Sequence, residues 1–220
     1  MTDSPFCGQD LPGLQAGRLP PDRYAHQFCE SHAPLDPRQA LIEADRCYYC
    51  FDAPCTKACP TDIDVPRFIQ RISQGNVRGA AQAILSANEF GGMCARVCPT
   101  ETLCEHVCVR NTQQHQPVAI GQLQRYAVDT FFAQKSRPLF TRAPETGKRV
   151  AVIGAGPAEL TVAHRLAQQG HTIEVFDGRE NQEGSTNTAS RPTKPRTILH
   201  SAKSARCFPL VALRCIKANA

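Results

Sequence analysis

No window of the 220-residue chain approaches 18 consecutive apolar residues, which excludes a membrane-spanning helix. The N-terminus, MTDSPFCGQDLPG, lacks a basic n-region and an apolar h-region. It therefore does not read as a secretory signal, and a soluble cytoplasmic protein is the default expectation. Basic excess is also missing from most of the chain. Residues 178–220 hold eight Lys/Arg against two Asp/Glu, while the whole chain is only +5, so the first 177 residues carry −1. A basic balance ordinarily points to nucleic acid or an anionic membrane. Here it belongs to the tail alone, so neither is expected as a partner. What is not missing is core material, since 41% of the residues are hydrophobic.

Cysteine is the strongest signal. There are 12, eight of them between Cys47 and Cys108. Without an export signal, such clustering suits metal or iron–sulfur centres better than disulfides. The first group is Cys47-x2-Cys50-x4-Cys55-x3-Cys59-Pro60. It resembles the bacterial ferredoxin run C-x2-C-x2-C-x3-C-P with two extra residues in the middle gap. In that run the cysteine before proline serves the other cluster, which assigns Cys59 to a second centre. The second group is Cys94-x3-Cys98-Pro99-x4-Cys104-x3-Cys108. Its last two cysteines, four apart, are expected on one helix face. This group can complete a second cluster and return one ligand to the first. It holds one cysteine more than needed, and Cys94 is the candidate for the spare. Structural zinc and inert thiols are the alternatives, but zinc sites usually pair two C-x2-C knuckles and only one is present. Cys7, Cys29, Cys207 and Cys215 have no such spacing and read as incidental.

Around these groups the pattern is helical. Residues 1–35 read as a polar arm with a short helix near Tyr24–Glu30. Asp36-Pro37 reads as an N-cap followed by proline at the first helical position, opening a helix to about Arg46. A loop over 47–60 carries the first cysteines. Asp64 caps a helix bearing Phe68, Ile69 and Ile72 that stops near Gly75, and Asn76 caps another with Ala80, Ile84 and Leu85. Gly91-Gly92 reads as a break before the second group. An amphipathic helix is expected over 117–133. The helical cluster-bearing domain is thus placed at 36–135, with a linker at 136–147.

The character then changes. Val150–Ile153 reads as a buried strand, Gly154-Ala155-Gly156-Pro157 as a phosphate-binding turn into a helix, and Thr172–Asp177 as a second strand. Asp177 lies where an acid accepts a ribose hydroxyl. This is the opening βαβ unit of a dinucleotide-binding fold, placed at 148–180. Its third motif position is Glu159 in place of Gly or Ala. That substitution adds bulk and negative charge next to a diphosphate site, and the alternative is a side chain that merely points to solvent. Residues 181–220 show neither alternation nor a Gly-rich return turn. They read as a non-native end, as if the frame had shifted or the gene had broken near residue 180, or else as a disordered basic tail.

The stretches CYYCFDAPCTKACPTDIDVPRFI, GGMCARVCPTETLCEHVCVR, VAIGQLQRYAVD and KRVAVIGAGPA…VFD together resemble the small subunits of NAD-dependent dihydropyrimidine dehydrogenases. They are similar also to glutamate synthase small subunits and to the N-terminal part of the animal dihydropyrimidine dehydrogenases. The resemblance implies a mostly α, alpha-helical ferredoxin-like domain with two 4Fe-4S clusters, then a Rossmann FAD/NAD(P)-binding domain of which only the first unit is present. It implies one cluster on Cys47, Cys50, Cys55 and Cys108, and another on Cys59, Cys98, Cys104 and the side chain of Gln124. It implies FAD on Gly154, Gly156 and Asp177, with NAD(P)H on a further domain. It names no catalytic residue in this chain. By resemblance the chain is an oxidoreductase subunit passing electrons from NADH through FAD and the clusters to an FMN-containing partner, in a heterotetramer that reduces uracil or thymine to the 5,6-dihydropyrimidine. The break near residue 180 would leave this chain impaired. Three readings stay open: that subunit or a glutamate synthase-like electron donor, a stand-alone iron–sulfur module without flavin, and a zinc-stabilised protein using its tail on nucleic acid.

Overall fold

Short polar residues start three of the described helices, because their side chains satisfy backbone N–H groups that the first turn leaves unpaired. The computed structural model describes residues 33–134 and 138–176. The expected Tyr24–Glu30 helix, Asp177 and the 181–220 tail lie outside the described residues. In helix α1, Pro37–Asp45, Asp36 Oδ1 accepts from Gln39 N at 2.8 Å while the Gln39 side chain accepts from Asp36 N at 3.0 Å, a reciprocal capping box. Asp64 caps α3, Val65–Ser73, through Arg67 N, and Asn76 caps α4, Val77–Ala87, through Gly79 N.

Four sequence expectations for the helical part need correction. The 47–60 segment is not all loop, because Pro54–Lys57 forms a short helix, α2. Gly91-Gly92 does not break the chain. These two residues begin helix α5, Gly91–Val97, and both are buried. A Cβ at Gly91 would run into Ile84 Cγ2 of α4, so the glycine is there for close approach. Cys104 and Cys108 do not share a helix face. Residues 100–107 are turns, and Cys108 is the extended N-cap of α6, Val109–Gln114. The last helix of the cysteine-bearing part, α7, runs Ile120–Ala133 and starts three residues later than expected, after Pro117 and an uncapped Ala119.

One apolar cluster joins α1, α3, α4 and α7 through Ala40, Ala44, Phe68, Ile69, Ile72, Ala80, Ile84, Leu123 and Val128. Each large side chain buried this way contributes about 1.5–3 kcal/mol. Cys47, Cys55, Cys59, Cys104 and Cys108 lean on this cluster from its edge.

A second, smaller cluster holds the βαβ unit: β1 Arg149–Ile153, α8 Pro157–Gln168 and β2 Thr172–Phe176. The strands pair in parallel, Val150 opposite Ile173 and Val152 opposite Val175, as a crossover helix requires. Strand β1 is less buried than its sequence suggests. Ala151 and Ile153 are exposed, because among the described residues only β2 pairs with it.

Residues 138–143 form a strap between the units. Leu139 and Phe140 pack on the helical core, Pro138 O accepts from Arg78 Nη2 at 2.9 Å, and Ala143 N donates to Gln168 O at 2.8 Å. The units also touch directly. Arg165 Nε lies 2.5 Å from Glu89 Oε1, and the fully buried His164 stacks edge-on to Phe140. Among the described residues no helix is long and apolar enough to cross a membrane.

Candidate metal centre and nucleotide turn

Cys47 and Cys50 flank Tyr49, whose φ of +52° is left-handed. A non-glycine residue holds that conformation only when its surroundings fix it. Here the Tyr49 hydroxyl donates to Ala44 O or Ser73 Oγ, 3.2 and 3.0 Å away. The reversal turns Cys50 back toward Cys47. Cys47, Cys50, Cys55 and Cys108 then line one open cleft together with Val65, Ile69 and Ile120. Three of these thiols come from the first cysteine group and the fourth from the end of the second.

Electrostatics link the same four. Burial pushes the Cys55 thiol up to about 12, and the neighbouring Cys47 and Cys108 push in the same direction. Burial likewise raises Cys47, with Cys108 and Cys50 adding to it, while the Tyr49 N–H and the Arg110 guanidinium oppose the rise. Such thiols ionise together only around added positive charge, which is what metal ions supply. Arg110 braces the mouth. Its guanidinium carbon lies 3.9 Å from the centroid of the Tyr48 ring, and its Nε donates to Arg46 O at 2.6 Å.

The remaining thiols gather on the other side. Burial raises Cys98 to about 11, with further contributions from Cys94 and then Cys59. Burial raises Cys104 to about 12, followed by Glu105 and Cys59. So Cys59, at the end of the first cysteine group, keeps company with Cys94, Cys98 and Cys104 of the second. Asn88 ties this side together. Its Nδ2 lies 3.1 Å from Cys94 Sγ and 3.4 Å from Thr61 Oγ1, and Thr61 Oγ1 is 3.5 Å from Cys59 Sγ. Cys94, the spare of the spacing argument, therefore stands beside Cys98 rather than apart.

Gln124 is buried on α7 and its Nε2 donates to Gly91 O at 2.6 Å. That bond fixes the amide against α5 and leaves Oε1 as its other polar atom. Gly121, one turn earlier, lets α7 lie close to the second cysteine loop. A Cβ there would be 3.2 Å from Thr100 Cγ2, and its N–H donates to Glu105 Oε1 at 3.0 Å. Asn88, Tyr49 and Arg110 carry no spacing signal, so sequence reasoning did not single them out. Among the described residues no three His, Cys, Asp or Glu side chains converge as a site for a single ion. The thiol donors are soft, half-buried and shared between two loops, which suits iron–sulfur clusters.

The nucleotide turn differs. Gly154 has φ +102°, a conformation that needs glycine, and Gly156 is the N-cap of α8. The backbone thus has the shape that admits a diphosphate at a helix N-terminus. The space above it is filled. A Cβ built on Gly154 would lie 3.2 Å from Glu159 Cγ, and one on Gly156 would lie 2.6 Å from Glu159 Oε2. The Glu159 side chain folds back over both glycines instead of pointing away to solvent. As it stands, the turn does not fit the pyrophosphate of FAD.

Residues 24–136 match the family model described as dihydropyrimidine dehydrogenase domain II, 4Fe-4S cluster. The chain is 38% identical over 166 residues to the NAD-dependent dihydropyrimidine dehydrogenase subunit PreT of Escherichia coli O157:H7, covering 76% of this chain and 39% of that protein. It is 41% identical over 145 residues to PreT of Escherichia coli strain K12, covering 66% and 35% respectively. It is also 36% identical over 173 residues to the glutamate synthase (NADPH) small chain of Halomonas elongata, covering 76% and 36%. The matched region thus spans less than two fifths of the length of these curated relatives.

Proposed function

The chain belongs to the dihydropyrimidine dehydrogenase domain II iron–sulfur family, and from that premise we propose that its helical part, residues 36–135, holds two 4Fe-4S clusters and relays electrons within an NAD(P)H-dependent oxidoreductase. Cys47, Cys50, Cys55 and Cys108 hold the first cluster. Cys59, Cys98, Cys104 and Gln124 Oε1 hold the second, with Cys94 beside it. When bound, the clusters supply one-electron transfer at low potential. The protein's share is to bring thiolates from two loops together, to keep water from them with Val65, Ile69 and Ile120, and to brace the loops through Tyr49, Arg110 and Asn88. One observation carries the reading: Cys108 sits with the first cysteine group and Cys59 with the second.

The electrons go to an FMN-containing catalytic partner, in a heterotetramer, for reduction of uracil or thymine. The relatives named PreT favour this over a glutamate synthase-like role. Two electrons from NAD(P)H and two protons overall saturate the pyrimidine 5,6 bond. No FAD step is assigned to the Gly154–Gly156 turn, because Glu159 fills it.

Anaerobic purification with iron, acid-labile sulfide and zinc assays tests the ligand sets. The expected content is about eight iron and eight sulfide per chain. Cys108→Ser and Cys59→Ser should each lower iron by about half, and each should leave a different cluster's spectrum. Zinc without sulfide, or a Cys108→Ser variant with the same surviving cluster as Cys59→Ser, refutes the crossed assignment.

A further inference from the structure

We infer that Glu159 is a built-in occupant of the phosphate subsite: its carboxylate takes the place of a dinucleotide diphosphate over Gly154 and Gly156 and keeps this nucleotide unit closed to such ligands. The inference does not depend on the cluster assignment. It begins from the backbone, which is ready for an anion. Gly154 turns through φ +102°, its N–H is held by Phe176 O at 2.7 Å, and Gly156 caps a 12-residue helix that starts with Pro157. A side chain at either glycine is what usually blocks such a turn, and neither glycine carries one. The obstruction comes instead from the third residue of α8. Glu159 Cγ, Cδ and Oε1 stand over Gly154 at 3.2, 3.4 and 3.7 Å from an ideal Cβ position, and Oε2 stands over Gly156 at 2.6 Å. The atoms lying where a phosphate needs to approach the backbone are therefore those of a carboxylate.

The placement has a physical reason. The first turn of a helix attracts negative charge through its unpaired N–H groups and macrodipole, and Glu159 is the acidic residue in the first turn of α8. The same field that draws a pyrophosphate draws Glu159, and Glu159 is tethered there, so its effective concentration is high. A diphosphate has to displace the carboxylate or sit beside it, like charge against like charge. The closure is thus both steric and electrostatic, and one side chain provides both.

The test uses the full chain with ADP and, separately, inorganic pyrophosphate in calorimetric titrations. Wild type should show no saturable binding at millimolar ligand. Glu159→Ala should bind both, with a gain of at least about tenfold in affinity, or about 1.4 kcal/mol. Glu159→Gln, which keeps the bulk and removes the charge, should gain less. Glu159→Gly serves as a second opening variant if alanine perturbs the helix, with circular dichroism as the folding control. Adding Gly156→Val to Glu159→Ala should abolish the gain, which separates the turn from the basic residues 178–220 as the source of binding. Wild-type binding as tight as that of Glu159→Ala, no gain in either opening variant, or a gain that survives Gly156→Val each overturns the inference.

Discussion

Removing the Arg165 side chain should loosen the βαβ unit from the helical part. Glu89 has a side chain only 3% exposed, and Arg165 Nε lies 2.5 Å from its Oε1. Arg165 Nη2 also donates to Ser86 O at 2.5 Å, and His164 Nδ1 is 3.6 Å from the same carboxylate oxygen. Breaking a buried ion pair from one side costs about 3–5 kcal/mol, because the stranded charge has no water. Arg165 is itself 42% exposed, which weakens the pair. The expected cost of Arg165→Ala is therefore about 2 kcal/mol, close to thirtyfold in an opening equilibrium.

The βαβ unit reports this directly. Among the described residues its apolar cluster is six buried side chains around two strands, too little to persist alone. Undocking should therefore expose its amides. Hydrogen exchange over Pro157–Gln168 in the cluster-loaded protein should quicken about thirtyfold in Arg165→Ala, while α3 and α4 stay within threefold of wild type. Pairing Glu89→Leu with Arg165→Ala removes the stranded charge and should recover most of the protection. Exchange of α8 within threefold of wild type in the single variant refutes the reasoning. So does a double variant as loose as the two singles combined, because buried charge is then not the cause.

Three further perturbations follow from the same geometry. Gly91→Ala pushes a methyl into the fully buried Ile84 and to 3.7 Å from Gln124 Nε2. It should cost about 1–3 kcal/mol in urea unfolding and lose iron from the second cluster first; full iron content at wild-type stability refutes it. Glu43 Oε1 accepts from Ala119 N at 2.8 Å and from Arg46 Nη1 at 2.6 Å, which in turn holds Pro117 O. Glu43→Ala should therefore destabilise by about 1–3 kcal/mol, with Glu43→Gln milder, and an unchanged unfolding midpoint contradicts it. The third concerns pH. In the metal-free chain Cys55 and Cys104 rise to about 12 and Cys98 to about 11, against 9.0 for an ordinary cysteine. Folding then favours the protonated thiol, so this stabilisation is whole below pH 9 and is lost as pH climbs through 11 to 12. Reduced, metal-free protein should show a urea midpoint that falls over that range, more steeply than in Cys55→Ala/Cys104→Ala; a midpoint indifferent to the two alanines sinks the argument.

The helix starts were legible because capping is local. Asp36, Asp64 and Asn76 each bond a backbone N–H three residues ahead, and such signals survive in a linear string. The two thiol-rich stretches and the parallel βαβ unit were legible for the same reason. Gly91-Gly92 was misread because glycine signals a break only when nothing crowds it, and the crowding atom, Ile84 Cγ2, lies on another helix. Cys104 and Cys108 were misread because a spacing of four means one face only inside a helix, and Thr100 to Val107 is turned instead. Glu89, Arg165 and Gln124 are tertiary partners with no periodic mark. Resemblance alone pointed to Gln124, and nothing pointed to the Glu89–Arg165 pair.

On the proposed ligation, crossing does mechanical work that two separate sites would not. Cys59 and Cys55 are four residues apart, joined by one helical turn, Pro54–Lys57, yet they face different clusters. Cys104 and Cys108 are split in the same way by the turns before α6. Each loop is therefore pinned at both ends, and neither cluster can leave without releasing a ligand arm of the other's loop. The apolar core supports the thiols only from their edge, so the loops gain their order from metal as much as from packing. Loss of one cluster should then speed loss of the second, and the order of loss should follow which arm is cut: Cys59→Ser should free the second cluster first, and Cys108→Ser the first. Independent decay of the two in oxygen, each at its wild-type rate, refutes the coupling.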